Sequence, residues 1–135
     1  MTFSRRLVLA VPTAALALTI ALGALSPAAA AGVGDTGQLY GQSDHVTVGT
    51  VSIVEEDGAR YVVLGDDFSL DGAPAPTLGF SVDGEFVEAS EFAKLGSITG
   101  AQRYEIPAAL DISDFDAFVV WCSQFSVPLG SADLN

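Results

Sequence analysis

One cysteine, one histidine and one tryptophan are all that 135 residues contain of these types, and each scarcity closes off a line of chemistry. A single thiol cannot form an intramolecular disulfide, so Cys122 is a buried filler, an intermolecular linker or a reactive group. There is no Cys-x-x-Cys, no Cys-x-x-Cys-His, no phosphate-binding glycine loop and no His-Glu-x-x-His pair, which removes the common redox, haem-attachment, nucleotide and zinc-protease signatures. His45 and Cys122 together fall short of the four donors of a closed zinc site. No serine sits in a nucleophile-elbow motif, so a hydrolase triad has no support. Basic residues are also scarce: five against seventeen acids.

Two of those five, Arg5 and Arg6, precede an apolar run from Leu7 to Leu25 that ends in Ser26-Pro27 and four alanines. The pattern reads as a secretory signal over residues 1–31 with small-residue cleavage sites at Ala28-x-Ala30 or Ala29-x-Ala31. An uncleaved anchor is the rival, because the run approaches the roughly 20 apolar residues that span a bilayer. Pro12, Gly23 and the alanine-rich exit favour removal, leaving no stable membrane insertion afterwards. Ser4-Arg5-Arg6-Leu7 also fits the loose twin-arginine pattern, but paired arginines are common in general-export signals, which is the preferred reading. The expected location is secreted, either extracellular or in the cell envelope or periplasm. Without the signal, three basic residues face seventeen acids, a net charge of −14. Nucleic acid and anionic lipid are repelled by such a surface.

Residues 32–37 read as a flexible leader, and 38–135 as one domain with one core. From Leu39 onward the apolar period is two. Val46 and Val48 share one parity while Val51 and Ile53 share the other, which predicts a β-bulge near Gly49-Thr50. Asp57-Gly58 and Asp83-Gly84 are hairpin turn signals. Asp71-Gly72-Ala73-Pro74-Ala75-Pro76 reads as a surface loop. Phe92 and Leu95 permit one short helical turn after Glu88. Gln102, Tyr104 and Ile106 form one face of a strand that Pro107 ends, and Asp111 to Asp116 is turn-like. The expected fold is all-β: an antiparallel β-sandwich or partly closed barrel of about seven to nine short strands.

Phe118 to Val127 reads as one strand. Its parity places Trp121 with Val119, Phe125 and Val127, and Cys122 with Phe118, Val120, Gln124 and Ser126. The tryptophan face is apolar throughout and is assigned to the main core; Cys122 then lies on a secondary face that turns polar at Gln124. No Lys, Arg or His flanks Cys122 and the local charge is negative, so a strongly nucleophilic thiolate requires distant Arg60, Arg103 or His45 to fold against it. The carboxylates at Glu55-Glu56-Asp57, Asp66-Asp67 and Asp111-x-x-Asp114-x-Asp116 lack EF-hand spacing and read as solvated turns, with no metal site assigned.

The series His45-x-x-x-Gly49-x-Val51-x-Ile53, Phe68, Pro76-x-Leu78, Gln102-x-Tyr104-x-Ile106-Pro107, Asp111, Val119-Val120-Trp121-Cys122-x-x-Phe125 and Gly130-x-Ala132-x-Leu134 resembles the DM-thirteen domain, also called the electron-transfer DM domain. The resemblance implies an all-β extracellular redox module. It implies that Cys122 is a free redox thiol or helps hold a prosthetic group such as haem, with His45 as a hypothetical second ligand and a separate protein as redox partner. A module of this kind passes electrons or binds, rather than turning over a substrate. The alternative is a non-catalytic acidic binding module of the cell envelope in which Cys122 is core.

Overall fold

The computed structural model describes residues 30–135; the signal-sequence reading falls almost wholly on residues outside that range. Ten strands follow in chain order: β1 (Thr36–Gly41), β2 (Thr47–Glu56), β3 (Ala59–Leu64), β4 (Ser69–Leu70), β5 (Pro76–Val82), β6 (Glu85–Phe86), β7 (Ala93–Lys94), β8 (Gln102–Ile106), β9 (Ala117–Cys122) and β10 (Val127–Asp133). They make one antiparallel sheet that curls into a half-barrel, in the order β6-β5-β9-β10-β1-β2-β3-β8. Two-residue β4 and β7 are attached to β2 and β5. The all-β, partly closed form matches the expectation from sequence. Among the described residues the only helical pieces are 3-10 turns at Glu88–Ser90 and Ile112–Asp114.

The turn chemistry behaves as the sequence indicates. Asp57 and Gly58, like Asp83 and Gly84, all have positive φ, the type I′ geometry whose twist matches paired strands. Glu56 therefore pairs with Ala59 and Val82 with Glu85 across two-residue loops. In β8 only Ile106 is fully buried, Gln102 and Tyr104 are half-buried, and Arg103 and Glu105 are exposed, the alternation expected of that strand.

The expected bulge at Gly49-Thr50 is absent. The register of β2 against β1 runs unbroken from Thr36–Ser52 to Leu39–Gly49. Thr47, Gly49, Val51 and Ile53 share the inner face, while Val46 and Val48 are 65% and 46% exposed. Those two valines are outward-facing, so no phase shift is needed. Gly49 has a different reason for being there: a Cβ would lie 2.6 Å from Phe68 Cα, and its φ is +127°. The chain from Gly65 to Phe68 is folded directly against it, and the Asp67 carboxylate accepts from Thr50 N and Oγ1. The register shift that does occur lies in β10, between Pro128 and Gly130.

The folded part also starts earlier than Leu39. Ala31 is buried with its N–H on Phe115 O, Gly34 N donates to Ile53 O, and β1 begins at Thr36. The core fills the inside of the curl with Leu39, Val51, Ile53, Val62, Leu64, Leu78, Phe80, Phe118, Val120, Leu129 and Leu134. Phe80 is its centre, with Phe92, Phe115 and Phe118 rings at 5.6, 5.3 and 6.1 Å. Each such side chain contributes about 1.5–3 kcal/mol by burial.

Candidate functional site

β9 stops at Cys122. Ser123 to Ser126 form a turn in which Ser126 N donates to Cys122 O at 2.8 Å and Ser126 has φ +54°, and β10 returns with Val127 opposite Cys122. The single strand expected from Phe118 to Val127 is thus a hairpin, and this reverses the assignment of its faces. Phe118, Val120 and Cys122 point into the main core; Trp121 is half-buried on the outer face and Phe125, in the turn, is 63% exposed. Both faces of β9 are apolar, so its composition alone does not say which is inside. The outer face is covered by Phe86, whose ring stacks on Trp121 at 4.1 Å and 10°. Trp121 supports that outer face rather than packing around the thiol.

Cys122 is 1% exposed. Its Sγ–H donates to Pro74 O at 3.3 Å, and the neighbouring Ser123 hydroxyl and N–H both donate to Ala75 O. Pro74 and Ala75 are themselves exposed. The Cys122 end of β9 is thereby fastened to the loop of residues 71–75.

His45 holds the other end of that loop. Its Nδ1 lies 2.8 Å from Asp71 Oδ1, while Asp71 Oδ2 accepts from Val46 N at 3.1 Å. These bonds, the imidazole contact first, hold the Asp71 carboxyl below the usual carboxylate range. His45 and Cys122 are thus tied to the same loop, three residues apart, and each is hydrogen-bonded to it rather than to the other. The distant cations do not reach the thiol either. Arg60 donates to Pro107 O and Leu110 O; Arg103 pairs with Glu56 at 2.7 Å and lies 3.7 Å over the Tyr61 ring.

A haem held by Cys122 and His45 needs an open slot between sulfur and imidazole. Cys122 is instead packed among core side chains with its proton on a backbone carbonyl, and the imidazole is engaged by Asp71. A hollow of about 430 Å³ beside Arg60, Glu105 and Asp111, and one of about 260 Å³ beside Trp121, contain neither residue in their walls. The residues present do not fit a haem bridged between these two side chains. Among the described residues no three His, Cys, Asp or Glu side chains gather as metal donors.

The acids act as local caps. Asp111 accepts from Ser113 N and Oγ at the start of a 3-10 turn, Asp116 accepts from Asp83 N, and Glu91 accepts from the Thr77 hydroxyl. Sequence reasoning missed Asp71, Pro74 and Phe86 as partners of the three singular residues. Only Pro74 carried a signal, as part of a proline-marked loop.

No curated protein and no solved structure matches the chain. The family model described as Electron transfer DM13 matches residues 39–134, which takes in β2 to β10, the second half of β1, both 3-10 turns, His45 and Cys122. By that match the chain belongs to the Electron transfer DM13 family.

Proposed function

We propose that this electron-transfer domain works as an exported module whose redox group is the Cys122 thiol, reached by a partner protein when the loop at residues 71–75 lifts. One observation carries the reading: the sulfur is bonded to the carbonyl of an exposed proline, Pro74, so a local rather than global opening uncovers it. The chemistry is thiol–disulfide exchange with a disulfide of the partner. Cys122 gives up its proton to solvent and attacks one sulfur of that disulfide. A Cys122–partner bond forms as the partner's S–S bond breaks, and the departing sulfur takes up a proton. Export rests on the basic, apolar and alanine-rich order of residues 5–31.

Labelling of the native protein with an aromatic disulfide reagent tests this. Cys122 reacts faster than global unfolding allows, and Pro74→Gly, which loosens the loop, speeds the reaction about tenfold, more than the accompanying fall in global stability accounts for. If labelling proceeds only at the rate of global unfolding in both proteins, the second reading stands. In that reading Cys122 is a core residue of an acidic binding module, and its 1% exposure is the observation in favour. N-terminal sequencing of protein recovered outside the cytoplasm tests export; a start near Ala31 or Gly32 is expected.

A further inference from the structure

Residues 71–75 belong to no strand, yet they are held at both ends. Asp71 is fastened to the chain between β1 and β2: its N–H donates to Val46 O at 3.0 Å, its Oδ2 accepts from Val46 N at 3.1 Å, and its Oδ1 lies 2.8 Å from His45 Nδ1. At the far end Pro74 O accepts from Cys122 Sγ at 3.3 Å, and Ala75 O accepts from Ser123 N at 3.4 Å and Ser123 Oγ at 3.0 Å. Between the two clamps little holds the segment. Gly72, Ala73 and Ala75 donate no backbone hydrogen bond to the described residues, and Gly72 and Ala75 have φ of +114° and +49°, a left-handed backbone that is unfavourable for alanine.

The clamps are unequal. The one at Asp71 includes an ionised carboxylate as acceptor, whereas the one at β9 relies on a thiol, a weak donor, and on a long amide bond. With Asp71 in place, only residues 72–75 span the gap to Pro76, which is paired with Cys122, and so short a segment has few other paths to follow. Releasing Asp71 lengthens the free segment and removes that restraint.

We infer that residues 71–75 are a latch that couples His45 to Cys122: the segment opens as one unit, and the His45–Asp71 bond sets how often. The coupling is reciprocal, as linkage requires. In the mixed disulfide described above the sulfur carries no proton, so Pro74 O loses its donor, the segment opens more often, and the hold of Asp71 on half-exposed His45 loosens. The chain's one histidine then displays at the surface the state of its one thiol. This display rests on the thiol reading; the latch itself does not.

Native-state hydrogen exchange of the isotopically labelled protein, followed by NMR, reads the latch at Asp71 N–H and Ser123 N–H, one at each end. Val120 N–H, in the core of β9, gives the rate of global opening. Both latch amides are expected to exchange faster than Val120 and with equal opening constants. His45→Ala speeds both by the same factor, about tenfold for a lost hydrogen bond to a charged group, while Leu110 N–H, in a separate turn on Pro107 O, is unchanged. His45→Asn, whose amide N–H stands as many bonds from Cα as Nδ1 does, returns both rates toward the wild type. Asp71→Asn acts in the direction of His45→Ala and serves if that variant folds poorly. In the reverse direction, Cys122→Ala speeds Asp71 N–H. An unchanged Ser123 rate beside a faster Asp71 rate, or two latch amides as slow as Val120, overturns the inference. Coupled exchange with a thiol that the aromatic disulfide reagent labels only on global unfolding leaves the latch standing and removes the redox reading; labelling without coupled exchange does the opposite.

Discussion

The Cys122 thiol and the Pro74 carbonyl, 48 residues apart in sequence, are joined by a 3.3 Å hydrogen bond that pins an exposed loop over the end of β9. The bond links the chain's single cysteine to a loop that lies outside the strands of the sheet. Protection of the sulfur is therefore a property of residues 71–75 as much as of the core.

Cys122→Ala removes a buried sulfur and its bond to Pro74. The expected cost is about 0.5–3 kcal/mol, the ordinary span for a core truncation. Urea unfolding at neutral pH measures it, and Cys122→Ser, which keeps a donor for the Pro74 carbonyl, measures how much of the loss is the hydrogen bond.

Acid destabilises the domain through three aspartates. Asp67, Asp71 and Asp111 are each held below their ordinary range, by Thr50, His45 and Ser113 respectively. A carboxyl whose folded value lies below its unfolded one stabilises above the unfolded value, ~3.9 for aspartate. That contribution is lost as pH falls through the folded value. Unfolding free energy is thus flat for these groups above about pH 5 and declines below about pH 4. Asp71→Asn makes the decline shallower, and His45→Ala has the same direction of effect because it removes the largest cause of the Asp71 shift.

Gly49→Ala forces a methyl to within 2.6 Å of Phe68 Cα on a backbone with φ +127°. The expected loss exceeds about 2 kcal/mol, since a left-handed backbone alone costs of order 1–3 kcal/mol in a residue with a side chain. Thermal unfolding checks it, with Gly58→Ala as a comparison at a site where a Cβ meets nothing.

Phe86→Ala uncovers Trp121. Loss of the stack is worth about 0.5–1.5 kcal/mol beyond the buried area, and Trp121 emission shifts to the red as the indole meets water. A blue or unchanged spectrum contradicts the outward placement of Trp121.

The local signals in the sequence were strong where chemistry dictates geometry. Asp57-Gly58 and Asp83-Gly84 specify their turns by themselves, and the charge alternation of Gln102 to Ile106 specifies which side of β8 is inside. Signals failed where two answers satisfy the same pattern. Val119 to Cys122 is apolar on both sides, so the inner face is decided by what packs there, and Phe86, 35 positions upstream of Trp121, decides it. The partners of His45 and Cys122 are likewise 26 and 48 residues away, beyond any spacing rule. The valines at 46 and 48 suggested a bulge because outward-facing apolar residues mimic core periodicity.

The half-barrel never closes, so β6 and β8 are left as its two free margins. A free margin can template added strands from other molecules. Here one margin is made of two separate two-residue strands, β6 and, beside it on β5, β7, and the other projects Arg103 and Glu105 and ends at Pro107, which cannot donate to a new ladder. The molecule is in this way guarded against edge-to-edge growth into fibrils, and concentrated solutions should scatter light as dispersed particles rather than as lengthening filaments.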